Sequence, residues 1–269
     1  MSHQASFQET NHRPVPSPSL MGRGRAGPAP RFPSVHDIRP SATQWKDGGI
    51  GPGGDMFPAD ALSAFEPGSS LMRFAPNQAL FSQSEASRFV HVVAEGVVRV
   101  QRTLCDGRRL IARFAFAGDA IGLWTERDSR YSAEALGPVT TRRMPRGALL
   151  AILESRSGLR DRLRQDAERE LALTNDRLMM LARCSAREKV AAFLVQMRDR
   201  WLALNGQSMC VALPMSRQDI GDFLGVTLET VSRMISAFAR ERLLVVVPDG
   251  VRLIDLPRLR AIGLSLKSA

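Results

Sequence analysis

Cysteine is scarce in this 269-residue chain, which has only Cys105, Cys184 and Cys210. They lie far apart, are odd in number and form no C-x-x-C pair, so neither a disulfide framework nor a thiolate zinc site is expected. Histidine is almost as rare: His3, His12, His36 and His91. Three of these fall in an N-terminal segment, and none sits in the carboxylate cluster that a catalytic metal would need. The expected metal and cofactor content is therefore none. No apolar run approaches the roughly 18 to 20 residues of a membrane helix. The N-terminus lacks a basic-then-apolar leader pattern, so the expected location is cytoplasmic, with no membrane partner. Paired catalytic carboxylates, a nucleophile motif and a phosphate loop are all missing, and an enzyme is not expected.

Lysine is the last shortage. Lys46, Lys189 and Lys267 are the whole complement, so a formal charge of +10 rests almost entirely on arginine. Such a balance favours a polyanionic partner, chiefly nucleic acid. The arginine skew alone can reflect genomic base composition, so charge does not decide the matter.

Along the chain, residues 1–58 are rich in Pro, Gly, Ser, Arg and Gln and are expected to form a disordered arm. Arg23 and Arg25 are candidate nucleic-acid contacts there, and Met21 and Met56 are alternative starts. Residues 59–148 read as short strands separated by turn signals. Arg88 to Ala94 is the first clear strand. Val97 to Leu104 alternates, with Val98 and Val100 on one face and Arg99 and Gln101 on the other. Asp106-Gly107 is a hairpin turn. The next strand places Leu110, Ala112, Phe114 and Phe116 together. Such spacing suggests a small barrel or jelly roll.

After Pro145 the period becomes helical. From Gly158 onward about 25 residues run unbroken, roughly 37 Å at 1.5 Å per residue. Leu159, Leu163, Leu171, Leu178 and Leu181 fall on or near one stripe. A helix that long needs a partner, and residues 149–184 are read as a dimerisation helix using Leu163, Leu171, Leu178 and Leu181. Residues 185–269 form the last domain. It opens with a capping box from Ser185 to Glu188 and a core stripe of Val190, Phe193, Leu194 and Met197.

Its centre is "SRQDIGDFLGVTLETVSRMI", Ser216 to Ile235. Ser216 caps one helix, Gly225 ends it and Thr227 caps the next. At 100° per residue, Glu229, Ser232, Arg233 and Ser236 share an arc of about 100° on the second helix. Val231, Met234, Ile235 and Phe238 occupy a separate arc of similar width. One face packs; the other offers an acceptor, hydroxyls and a guanidinium. A helix-turn-helix presents its second helix to the major groove in this way. Arg can bind guanine O6 and N7, and Glu can accept from cytosine N4. Glu229 stands four residues before Arg233 and is placed to brace it. "LLVVVPDGVRLIDL" then reads as a hairpin about Pro248-Asp249-Gly250, which makes the motif winged. Arg240, Arg242 and Arg252 are candidate phosphate contacts.

On these motifs the chain resembles the Crp/Fnr family of bacterial transcription regulators, nearest to its FixK and Fnr branch. The resemblance rests on "FSQSEASRFVHVVAEGVVRVQRTLCDGRRLIARFAFAGDAIGL", the long helix, "SAREKVAAFLVQM" and above all "LPMSRQDIGDFLGVTLETVSRMI". It implies an α+β fold: a cyclic-nucleotide-binding-like β-roll, a long dimerisation helix and a winged helix-turn-helix. It implies a homodimer that binds double-stranded DNA and works with RNA polymerase as an activator. Glu229, Ser232 and Arg233 match the family's base-reading positions. Ser216, Arg217, Gln218, Thr227 and Thr230 match positions that hold phosphates or start the two helices. The apolar Leu228 goes with an Fnr-type half-site and a TTGAT-N4-ATCAA-like palindrome. The implied targets are genes for low-oxygen respiration or nitrogen metabolism.

The sensing half departs from the family. No cysteine precedes Cys105, so the iron–sulfur ligands of oxygen-sensing Fnr proteins are lacking. "GLWTERDSRYSAEAL" starts at Gly122 without the Gly-Glu-Leu and Arg-Ser/Thr arrangement that cradles a cyclic phosphate, and Arg127 and Arg130 have the wrong spacing. An effector-free, FixK-like regulator is the expectation; a β-roll that binds a nucleotide, haem or another small effector is the alternative. Cys184, where the long helix ends, is a candidate redox switch; the plainer reading is a small packing residue.

Overall fold

The computed structural model describes residues 68–86, 88–123, 128–205 and 210–263. The N-terminal arm with Arg23 and Arg25, and also Arg127, lie outside the described residues. Eight strands come first: β1 (Ser70–Phe74), β2 (Ala79–Phe81), β3 (Phe89–Glu95), β4 (Val98–Thr103), β5 (Arg109–Ala115), β6 (Ala120–Ile121), β7 (Ser132–Ala135) and β8 (Val139–Pro145). They make two antiparallel sheets, ordered β1-β8-β3-β6 and β2-β7-β4-β5. Phe74, Val93, Val98, Val100, Ala115, Ile121 and Val139 fill the space between them. This is the expected β-roll. Asp106-Gly107 turns the β4–β5 hairpin, with Gly107 at φ +83°.

The face assignment in β5 needs correction. The ladder pairs Val100 with Arg113 but Gln101 with Ile111, so Ala112 is an extra, bulged residue. A bulge reverses the alternation beyond it. Ile111 and Phe114 therefore share the outer face and are buried, while Leu110 is left exposed. The outer face of β4 is not solvated either: Arg99 and Gln101 are both buried.

The helical segment is two helices, α1 (Arg146–Ser155) and α2 (Ser157–Arg183), divided at Arg156, whose ψ of 85° is not helical. α2 divides its leucines between two faces. Leu163 is buried with Val90, Val92, Met144, Leu149 and Leu159 against the roll, and Leu181 is half-buried. Leu171 and Leu178 stay 62% and 58% exposed. The reading of all four as one dimerisation stripe thus holds open only for Leu171 and Leu178. The heptad pair is one face; Leu163 belongs to its own chain's core.

The C-terminal part contains α3 (Ala186–Asn205), β9 (Cys210–Ala212), α4 (Arg217–Leu224), α5 (Leu228–Arg240), β10 (Leu244–Val247), β11 (Gly250–Leu253) and α6 (Leu256–Gly263). Ser185 caps α3 through the expected reciprocal bonds with Glu188. The wing gains a third strand, in the order β10-β11-β9. One hydrophobic core runs from Ile111, Phe114 and Phe116 on the roll into Phe193, Trp201, Phe223, Ile235 and Phe238. Among the described residues no helix is long and apolar enough to cross a membrane.

Candidate nucleic-acid interface

The helix pair forms as its caps direct. The Ser216 hydroxyl accepts from the Asp219 N–H, and the Asp219 carboxylate accepts from the Ser216 N–H, closing a capping box. Gly225 ends α4 at φ +65°, in the left-handed region open to glycine. A Cβ on Gly221 would lie 2.6 Å from the Val226 carbonyl oxygen. The close neighbour that Gly221 admits is thus the turn itself rather than a packed helix. Thr227 caps α5 by accepting from the Thr230 N–H.

α5 has the two predicted faces. Val231, Ile235 and Phe238 are buried. Glu229, Arg233 and Ser236 are exposed, and Ser232 is half-exposed. The Glu229–Arg233 brace is not formed. Glu229 turns back to the helix start, where its own backbone N–H and the Thr227 hydroxyl hold its carboxyl below the usual range. It is an ionised acceptor at neutral pH, favoured by the helix N-terminus. Arg233 has no hydrogen bond or ion pair among the described residues. Away from the exposed Glu229 and Arg233, Arg187 grips the Glu241 carboxylate with two bonds of 2.7 and 2.6 Å, anchoring the end of α5 to α3.

The expected backbone contacts are less uniform. Ser216 and Thr227 are exposed caps, and Thr230 is half-buried beside Thr227. Gln218 is exposed and donates to Asp222. Arg217 is half-buried, and burial lowers its pKa. Its NH1 is a buried donor without a protein partner. Arg240, Arg242 and Arg252 are exposed on the same part of the chain. Cys184 is half-buried, and its thiol is pushed up by burial and by Glu188, against the opposing Lys189. Its thiolate fraction at neutral pH is below that of an ordinary cysteine, which favours the packing reading.

Sequence reasoning missed the residues that hold this domain on the roll. Arg99 bridges Asp219 at 2.7 Å and Glu134 at 2.5 Å. Arg109 bridges Asp219 at 2.8 Å and Asp222 at 2.6 Å. Burial alone would raise the Asp219 carboxyl, but hydrogen bonds from Ser216 and the charges of Arg99 and Arg109 outweigh it and hold it low. Arg200 pairs with Asp119 in full burial. The only available signal was two arginines on one strand-pair face; spacing does not name partners more than a hundred residues away.

Known proteins share this order of domains. The chain matches the family model for a Crp-like helix-turn-helix domain over residues 188–262 and that for a cyclic nucleotide-binding domain over residues 71–156. It is 44% identical over 210 residues to the transcriptional activatory protein AadR of Rhodopseudomonas palustris, covering 78% of this chain and 87% of that one. It is 38% identical over 233 residues to the nitrogen fixation regulation protein FixK of Bradyrhizobium diazoefficiens, covering 86% and 98%. The solved structure of FixK2 from Bradyrhizobium japonicum superposes with a TM-score of 0.67 at 33% identity, over 72% of this chain and 96% of that one.

Among the described residues, the part of the roll's interior around His91 is packed with side chains, which does not favour the cyclic nucleotide that one of these family descriptions names. His91 lies between Phe74 and Phe81 with ring centroids 6.2 Å apart in both pairs, and it bonds Thr141 Oγ1 at 3.1 Å. Thr141 and Val93 are 0% exposed beside it.

Proposed function

The chain belongs to the Crp/Fnr family of transcription regulators, and from that premise we propose that it is an effector-free activator binding a TTGAT-N4-ATCAA-like palindrome as a homodimer. The FixK relatives' names point to nitrogen-fixation genes as its targets, and the family resemblance adds genes for low-oxygen respiration. The observation that carries the reading is the free face of α5: an unpartnered Arg233 and an ionised Glu229 opposite a sealed apolar stripe. Arg233 reads guanine through its fork and Glu229 reads cytosine. Ser232 lies between them, and the caps Ser216 and Thr227 face the phosphates. The packing around His91 favours control through the amount of protein over control by a bound ligand.

The test is fluorescence anisotropy of purified protein, without effector, on the palindrome and on a duplex with both G·C pairs changed. Selective binding at two protomers per duplex is expected. Binding only after adding a small effector would favour the ligand-gated reading. Arg233→Ala is expected to cost about 1 to 3 kcal/mol and to relax discrimination at one base pair per half-site. An equal loss on every sequence would make Arg233 a phosphate contact.

The dimer seam follows from α2. Leu171 and Leu178 are exposed and one heptad apart, as in a two-stranded coiled coil. Leu178→Glu removes from each protomer a leucine that the dimer would bury, so the dimer dissociation constant is expected to rise by at least about 100-fold in sedimentation equilibrium. Leu163→Ala, by contrast, should lower the stability of each protomer and leave dimerisation alone.

A further inference from the structure

We propose that Arg177 is a positioning residue for DNA binding: it ties the long helix and the β-roll to the first helix of the reading pair, and so sets the separation of the two reading helices. The inference rests on the dimer reading above.

Arg177 lies on α2 beside the exposed Leu178, but its own side chain faces inward. Its NH1 donates to the Ala112 carbonyl, and its NH2 donates to the carbonyls of Ile111 and Phe223, both at 3.0 Å. The guanidinium carbon sits 3.6 Å over the Phe223 ring. One planar group thus touches three elements: α2, β5 and α4. Each acceptor is a backbone group that regular structure leaves available. Ile111 and Ala112 are at the bulge, where the ladder is interrupted. Phe223 is in the last turn of α4, where carbonyls have no partner within the helix. Cationic donors are favoured there by the helix dipole.

The Glu170 carboxylate, earlier on α2, attracts the Arg177 guanidinium. Burial lowers its pKa to about 10, so it remains charged at neutral pH. A buried cation whose hydrogen bonds go to carbonyls is a weak way to gain stability, since a well-packed apolar side chain often does as well. Its fork, however, has a fixed shape and reach, and it holds only one arrangement of β5 against α4. The opposite end of α4 is held separately, by Arg99 and Arg109 on Asp219, while Arg109 also reaches Asp222 beside Phe223. A helix pinned at both ends has a fixed direction, and α5 follows it through the short Gly225 turn. Because α2 also carries the dimer seam, Arg177 places each reading helix relative to the two-fold axis.

The test is pulsed electron paramagnetic resonance on full-length dimer with Cys105, Cys184 and Cys210 changed to serine and one spin label at Ser236→Cys. Each dimer then reports the distance between its two reading helices. A narrow distribution is expected with Arg177, and a broad one with Arg177→Lys or Arg177→Met, at unchanged far-UV circular dichroism. Lysine keeps the charge but cannot span three carbonyls, and it is the milder variant should methionine not fold. On DNA, the preference for a four-base-pair spacer over shorter and longer ones should fall about tenfold, as when the competent orientation drops to a tenth of the population. Equally narrow distributions, or a loss of affinity by one common factor on every spacer, overturn the inference. No distance signal in the parent protein would instead remove the dimer reading on which it stands.

Discussion

Asp119→Ala is expected to destabilise the protein by about 3 to 5 kcal/mol, the largest single loss we foresee. Asp119 and Arg200 are each 1% exposed and pair across the boundary between the roll and the DNA-binding domain. Asp119 also accepts the Phe116 N–H at 2.8 Å, which closes the turn through Gly118. Arg200 sits with its guanidinium 5.6 Å from the Phe116 ring, and its Nε and NH1 have no protein partner. Removing the carboxylate leaves a buried cation whose remaining contacts are a ring face and unsatisfied donors. Desolvation then acts without compensation. The loss should appear in urea unfolding at fixed protein concentration, because dimerisation makes stability depend on it. In a heating scan it corresponds to about 10 °C at this chain length. Replacing both residues with apolar ones, Asp119→Leu with Arg200→Met, should recover part of it, since neither charge then remains buried. If the single variant loses less than about 1 kcal/mol, water reaches the pair and the boundary is looser than the burial indicates.

That pair also marks how far the sequence could be read. The chain reversal at Gly118-Asp119 is local chemistry, a glycine at positive φ and an aspartate that accepts the Phe116 N–H three residues before it, as is the Asp106-Gly107 turn that the sequence marks. The same holds for Ser216, Gly225 and Thr227, and for the two faces of α5, whose causes lie within a few residues. The strands show where local reasoning stops. Alternation said that Arg99 and Gln101 lie opposite Val98 and Val100, which is so. It did not say that a second domain covers that face, because the partner Asp219 lies 120 residues away. The bulge at Ala112 has no sequence mark that separates it from a regular strand residue, and it alone moved Leu110 out and Ile111 in. The α2 leucines failed for a related reason. A stripe of leucines records that a helix is apolar on more than one side, but which side meets its own roll depends on where Val90, Val92 and Met144 stand.

The second large effect is a dependence of stability on pH that one side chain carries. His91 is 3% exposed inside the roll. Burial, and then the nearby Arg143, lower its pKa to about 4 from a usual 6.5. Its ring bonds the Thr141 hydroxyl through Nδ1 and is flanked by Phe74 and Phe81. In the unfolded chain the ring takes up a proton below about pH 6.5; in the folded chain it does not until about pH 4. Between these values the unfolded state binds more protons, so stability falls as pH falls. The contribution is fully present above pH 6.5 and is lost by pH 4, about 3 kcal/mol in all. From pH 7 to pH 5 the loss is about 2 kcal/mol, before most carboxylates titrate. His91→Gln keeps a donor and acceptor toward Thr141 but cannot titrate. Urea midpoints for the two proteins should therefore diverge with pH, the parent losing about 2 kcal/mol more than the variant between pH 7 and pH 5. Parallel curves would mean that the ring is protonated in the folded roll. That would require an acceptor or a water path within it, and with it room for a small ligand that the present packing does not leave.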